Sequence, residues 1–254
     1  MLWLETREFL KNLFKLIKSH RKIFYGLLGV FVFLGLFIFF KPYLNYWLRE
    51  EVTTKTLDSL DLKDIDHLMI VAHPDDEAIW ASTELFNEKY FVVCLTNNGN
   101  AKRKKEFEEV LATTQDVGLM LSYPDKIHGK KSDWDFCKET ILKDLKTIIS
   151  YKDWSVILTH NEDGEYGHIH HILTHKLVTH ECDITSFRGE KKFFGKYYKI
   201  NDLEILGEAG NLPMSLTDEQ LKQKLELLKI YKSQNTTVEH LYHTLPYENV
   251  FTSN

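Results

Sequence analysis

The chain has 254 residues, 43% of them hydrophobic and 27% charged, which is the composition of an ordinary globular protein. Its formal net charge of −5, with Lys and Arg spread along the chain after residue 40, gives no call for nucleic acid as a partner. Three widely spaced cysteines, Cys94, Cys137 and Cys182, exclude a disulfide framework and a CxxC metal site.

Residues 1–22 come first. Arg7, Lys11, Lys15, Lys18 and Lys22 recur at helical spacing, with Leu10, Leu13, Phe14 and Ile17 on the other side. This pattern reads as a basic amphipathic helix on an anionic membrane surface. Ile23 to Phe40 then runs 18 residues without a charge, near the length that spans a hydrocarbon core, and reads as a single transmembrane helix. Tyr43, Tyr46 and Trp47 follow it as an interfacial aromatic belt. The 18 residues before the span carry six Lys and Arg (Arg7, Lys11, Lys15, Lys18, Arg21, Lys22), and the 18 after it carry three (Lys41, Arg49, Lys55). That bias predicts a cytosolic N-terminus and a folded domain on the non-cytosolic side.

Residues 41–65 read as a juxtamembrane linker, and 66–254 as one α/β domain. His67–Ala72, Tyr90–Thr96 and Trp154–Thr159 are short apolar runs closed by turn signals, so each is predicted to be a buried strand, with a further strand over Phe193–Ile200. Cys94 lies inside the second run and reads as a small core residue. Helices are predicted over 77–87, 102–119, 135–150, 168–180 and 217–233. The alternation implies a mostly parallel sheet with helices on both faces.

Open parallel sheets bind ligands beyond the carboxyl ends of their strands. The first strand runs into Ala72-His73-Pro74-Asp75-Asp76-Glu77. The third runs into His160-Asn161-Glu162-Asp163-Gly164 and on to Gly167-His168-Ile169-His170-His171. Three adjacent acids repel one another unless a cation or solvent balances them. An acidic turn capping the next helix through Asp75 or Asp76 is the simpler account, and the two roles can coexist.

A catalytic zinc site takes three ligands from His, Asp or Glu and keeps a position open for water. His73 and Asp76 can supply two ligands from one turn. A histidine of the later cluster can supply the third, His171 at the start of its helix being one; residue types alone do not choose between His170 and His171. Asp75 is then free to take a proton from the attacking water. His168, one turn before His171, can polarise a carbonyl, stabilise an oxyanion or protonate a leaving amine. His170, His175 and His180 read as surface or ordinary hydrogen-bonding histidines. Zinc suits this donor set, with Fe²⁺ or Co²⁺ as substitutes.

At these residues the chain resembles the PIG-L/LmbE family of zinc-dependent N-acetylglucosamine deacetylases. The likeness rests on Ala72–Glu77 and Gly167–His171, with Arg103, Glu106 and Tyr231-Lys232-Ser233-Gln234 as further family features. It implies a Rossmann-like fold, His73, Asp76 and His171 as zinc ligands, Asp75 as general base, and His168 as the residue that stabilises the tetrahedral intermediate. The implied reaction hydrolyses the acetamide of an N-acetylglucosamine unit in a glycolipid or glycan. Family members that act on N-acetylglucosaminyl-phosphatidylinositol face the cytosol, whereas the charge bias here points outward and favours a surface or wall glycan. The glycosylphosphatidylinositol pathway and a catalytically inactive, membrane-tethered glycan-binding module are the alternatives. Asn235-Thr236-Thr237 is a glycosylation triplet of a kind that arises often by chance.

Overall fold

Leu68–Val71 and Tyr90–Leu95 are apolar without interruption, as strands covered on both faces must be. The computed structural model of the chain describes residues 2–252; Met1, Ser253 and Asn254, at the outer ends of the first and last predicted segments, lie outside the described residues. The chain forms two compact units, Met1–Leu44 and Asn45–Asn254.

The first unit is helical. Helix α1 spans Leu2–Ser19 and α2 begins at Arg21 and runs to Trp47. On the predicted apolar side of α1, Leu10 and Leu13 are exposed; the Phe14 and Ile17 side chains lie outside the described residues. Residues Arg21–Lys41 have a mean hydropathy of 2.6 and bury nothing against the protein. Among the described residues this is the one helix long and apolar enough to cross a membrane.

In the second unit, the segment read as a linker proves to be part of the fold. It carries helix α3 (Thr54–Asp58), closed at its start by a capping box between Thr53 and Thr56. Val52, Leu57, Leu62 and Ile65 are buried in the core. These four are scattered among charges without a helical or strand period, so the pattern looked solvated.

The remaining elements follow in order. Strand β1 (His67–Val71) leads to α4 (Asp76–Trp80) and α5 (Ser82–Asn87), then β2 (Tyr90–Thr96), α6 (Ala101–Thr114) and β3 (Val117–Tyr123). A short hairpin of β4 (Lys126–Ile127) and β5 (Lys130–Lys131) precedes α7 (Lys138–Ile149) and β6 (Val156–Thr159). Next come a single turn α8 (Gly164–Gly167), α9 (Ile169–Ile184), β7 (Glu190–Phe194), α10 (Ile200–Glu208), α11 (Asp218–Ile230), α12 (Asn235–Leu241) and β8 (Val250–Thr252).

Several boundaries differ from the sequence reading. The helix predicted over 102–119 stops at Thr114, because Gln115 takes a left-handed conformation (φ 63°, ψ 30°) and the chain turns into β3. Glycine is the usual residue there, so no stop signal was legible. The helix over 77–87 breaks at Ala81 (φ −146°, ψ 34°). The strand placed over 193–200 lies over Glu190–Phe194. Strands β3 and β8 and helices α10 and α12 were not predicted.

The sheet order is β3-β2-β1-β6-β7-β8, parallel except for β8, which runs antiparallel to β7. Successive residues of β1 feed opposite layers. Leu68 and Ile70 pack into one core with Ile141, Leu145 and Ile148 of α7 and Leu177 and Val178 of α9. Met69 and Val71 pack into the other with Ala78 of α4, Leu85 of α5, Phe107 and Val110 of α6 and Leu227 of α11. The chain leaves β1 toward β2 on one side and returns at β6 on the other. The carboxyl ends of β1 and β6 therefore flank a topological switch point, where the sheet opens a crevice.

Candidate active site

The loop after β1 folds around its own side chains. Asp76 Oδ2 accepts the His73 backbone N–H at 2.8 Å, and Glu77 Oε2 accepts that of Asp75 at 3.2 Å. Asp75 is held at φ 143°, ψ −25°, a conformation that costs a non-glycine residue of order 1–3 kcal/mol and that clusters at functional sites. His73, Asp75, Asp76 and Glu77 are all buried. Distant residues hold them. Arg103 donates to Pro74 O at 2.8 Å and to Asp75 Oδ1 at 3.3 Å, and Tyr231 donates its hydroxyl to Glu77. Glu106 in turn accepts the backbone N–H and hydroxyl of Ser233, fixing the Tyr231–Gln234 segment against α6.

This packing separates the three acids. Burial drives the Asp75 carboxyl well above the usual range, opposed by Arg103 and reinforced by Asp76 and Glu77. Burial also lifts Glu77 to about 7 against the hydrogen bond from Tyr231. Burial would raise Asp76 as well, but His171, His73 and His160 around it outweigh that and hold it well below the usual range.

The loop after β6 is shaped by Glu165. Its backbone (φ 56°, ψ −67°) is a strained γ-turn geometry, entered from Gly164 at φ 63°. A side chain at Gly164 would meet Ile172 Cγ1 at 2.7 Å, so the turn can sit directly on α9. The Glu165 carboxylate is fully buried and accepts from Asn161 N at 3.1 Å, His160 Nδ1 at 3.0 Å and His171 Nδ1 at 2.5 Å. Its burial would raise its pKa, but the two imidazoles lower it to about 2. His160 is committed at its other nitrogen too, where Nε2 accepts the Ala72 N–H at 3.0 Å.

With Nδ1 bound to Glu165, His171 turns Nε2 toward Asp76 Oδ1, 3.3 Å away. That Nε2 is buried and has no hydrogen-bond partner. The nearest ligand atoms of His73, Asp76 and His171 lie within 4.8 Å of one another. An unsatisfied buried nitrogen beside an imidazole and a carboxylate is a donor set that fits a divalent cation. The charge fits as well. Burial would lower the His171 pKa, yet Asp76 and Glu165 raise it to about 10, so negative charge converges on this ring. His73–His168–His170 and His160–Glu165–His171 also satisfy the same spacing. In both, the added residues already bond to one another or to the ligands, so we read them as supports.

His168 caps α9, its Nδ1 accepting the His170 backbone N–H at 3.3 Å. Its remaining nitrogen is therefore the N–H. Burial, with His171, His73 and Lys131 nearby, depresses its pKa to about 2. His73, Asp75, Asp76 and His168 open into a cleft of about 370 Å³, whose walls include Trp80, Tyr166, Lys126, Lys131, Thr237 and His240.

Residues 68–182 match the family model PIG-L, described as GlcNAc-PI de-N-acetylase. The chain carries a PIG-L domain. An uncharacterized protein of Acanthamoeba polyphaga mimivirus is 31% identical over 130 residues, 44% of this chain and 56% of the viral one. The chain thus spans little more than half the length of that relative. Among solved structures, a deacetylase in the biosynthesis pathway of teicoplanin aligns with TM-score 0.51 at 16% identity, over 74% of this chain and 99% of that one. The A40926 pseudoaglycone deacetylase aligns with TM-score 0.51 at 15% identity, over 72% and 88%. A zinc-inhibited form of teicoplanin deacetylase aligns with TM-score 0.50 at 14% identity, over 74% and 99%. At these identities the likeness is one of fold.

The PIG-L domain brings His73, Asp76 and His171 together, with Asp75 and His168 beside them at the cleft. His180 is exposed, and His175 is half-buried with Nδ1 on the His160 carbonyl at 2.9 Å. Of the two readings given for His170, surface or hydrogen-bonding, the structure takes the second: it is fully buried and bonds to His73 and to the Ser132 carbonyl. Glu165 escaped the sequence reading, and His160, singled out there only as part of its run, was given no role. Nothing in their spacing distinguishes them, and only the γ-turn at Glu165 aims its carboxylate at two imidazoles.

Proposed function

We propose that the chain is a membrane-anchored, metal-dependent N-deacetylase that hydrolyses the acetamide of an N-acetylglucosamine unit in a glycolipid or surface glycan. One observation carries it: the buried His171 Nε2, without a hydrogen bond, lies beside Asp76 and His73, both of which line a cleft. His73, Asp76 and His171 would hold the ion, for which zinc is the natural occupant of a His₂Asp set. When bound, such an ion polarises the amide carbonyl and makes a water molecule acidic.

The chain's own residues do the rest. Asp75, secured by Arg103, takes the proton from the attacking water and can return it to the departing amine. His168, its Nδ1 occupied, offers an Nε2–H to the oxygen on which negative charge develops. Trp80 and Tyr166, whose rings lie 6.1 Å apart on the cleft wall, give the sugar an apolar face to rest on. The products are acetate and a glucosamine amine.

The Arg21–Lys41 helix serves as the membrane anchor in this reading, and the Lys/Arg bias sets the domain on the non-cytosolic side. The zinc-loaded protein should release acetate from N-acetylglucosamine conjugates, stop on chelation and resume with added zinc. Absence of acetate from lipid-linked, glycan and small soluble substrates alike sinks the proposal. A C-terminal epitope on intact cells or sealed vesicles reads out the orientation.

A further inference from the structure

A metal-binding imidazole must present one chosen nitrogen as a lone pair, and the hydrogen bond at its other nitrogen makes that choice. The two histidines proposed here as ligands are fixed by different partners. Glu165 takes the Nδ1–H of His171 and leaves Nε2 for the ion. For His73 the partner is His170.

His170 Nε2 lies 2.8 Å from the carbonyl oxygen of Ser132. A carbonyl only accepts, so this nitrogen carries the hydrogen and Nδ1 is left as a lone pair. That lone pair points at His73 Nε2, 2.9 Å away. His73 Nε2 must then be the N–H, and His73 Nδ1, 3.3 Å from Asp76 Oδ2, is the lone pair on the side where Asp76 lies. Trp134 keeps the relay rigid. Its ring stacks on His170 at 4.6 Å and 3°, and its Nε1–H is tied to Pro124 O at 2.9 Å. His170, Ser132 and Trp134 are all buried.

We propose that His170 is a positioning residue that, through the relay Ser132 carbonyl–His170–His73, fixes His73 in the Nε2–H form and so makes Nδ1 its metal-binding atom. The two imidazole ligands then use opposite ring nitrogens, Nδ1 of His73 and Nε2 of His171. This rests on the metal reading above, and the test separates the two.

The test uses the full-length protein in lipid nanodiscs, as wild type, His170→Ala and His170→Asn. Asparagine can set its amide oxygen near the place of the imidazole Nδ1, keeping an acceptor for His73. Long-range ¹H–¹⁵N spectra of metal-free protein report the His73 tautomer. Wild type and His170→Asn should show His73 protonated at Nε2, and His170→Ala should lose that preference. Competition with a chelator reports affinity for Zn²⁺, which should fall about 10–100-fold in His170→Ala and return to within about threefold of wild type in His170→Asn. Two results would overturn the proposal: His73 keeping its Nε2–H in His170→Ala, or His170→Asn binding zinc as weakly as His170→Ala. If His73→Ala binds zinc as tightly as wild type, the metal reading fails, and the spectra of metal-free protein still decide the role of His170.

Discussion

The two rim loops of the domain reach order by different routes. The loop after β1 supplies His73, Asp75, Asp76 and Glu77 within five residues, and two of its carboxylates cap its own backbone. The loop after β6 contributes residues from His160 to His171, organised around a single buried carboxylate, Glu165. Their outer supports differ as well. Arg103 and Tyr231 steady the first from α6 and the C-terminal segment, whereas the second closes on itself through Glu165 and is tied by Asn161 to the Phe194 and Gly195 carbonyls at the end of β7. The first loop concentrates negative charge that only an outside partner relieves. The second sets its one central carboxylate, Glu165, against the Nδ1–H of both His160 and His171. In the proposed reading a cation would sit between them, where Asp76 lies beside both His73 and His171.

The comparison can be broken at three points, in falling order of effect. Asp75→Asn removes the proton acceptor without touching the proposed ligands. Turnover should drop about 10²–10⁴-fold while bound metal stays at the wild-type level, read by acetate release and metal analysis on one preparation. Turnover near the wild-type rate would leave Asp75 a merely structural acid.

Glu165→Gln strips the second loop of its central charge and of an acceptor for two imidazoles. Zinc affinity should weaken by about 10–100-fold in a chelator competition, and more than it does in His170→Asn, because a carboxylate polarises its histidine more than a neutral acceptor does. Equal affinities would mean that the second loop keeps its shape without Glu165.

Ser233→Ala tests the outer support of the first loop. It removes a hydroxyl that donates to Glu106 and leaves the backbone bond in place. Stability should fall by about 1–2 kcal/mol in denaturant unfolding, as expected for a hydrogen bond to a charged acceptor. A change indistinguishable from zero would show that the Ser233 hydroxyl adds nothing to the backbone bond between Ser233 and Glu106.

Much of this protein was legible as a one-dimensional pattern. The apolar helix, three of the parallel strands and the His-Pro-Asp-Asp-Glu run carry their meaning in consecutive residues. Burial on both faces demands an unbroken apolar run, and a tight turn brings His73 and Asp76 together. Other features depend on contacts that no local pattern encodes. Leu57 and Ile65 belong to the core although their neighbours are charged, and Gln115 ends a helix in a conformation that glycine usually marks.

The division runs through the site itself. The residue types suggested a zinc centre, but they did not choose between His170 and His171, which sit side by side at the start of one helix. Folding sends His171 toward Asp76 and Glu165, and His170 toward Ser132 and His73, because adjacent positions on a helix point about 100° apart. Chemistry was set by composition along the chain. Which nitrogen would face an ion depends on what the closed fold brings behind each ring, His170 on the Ser132 carbonyl for His73 and the Glu165 carboxylate for His171.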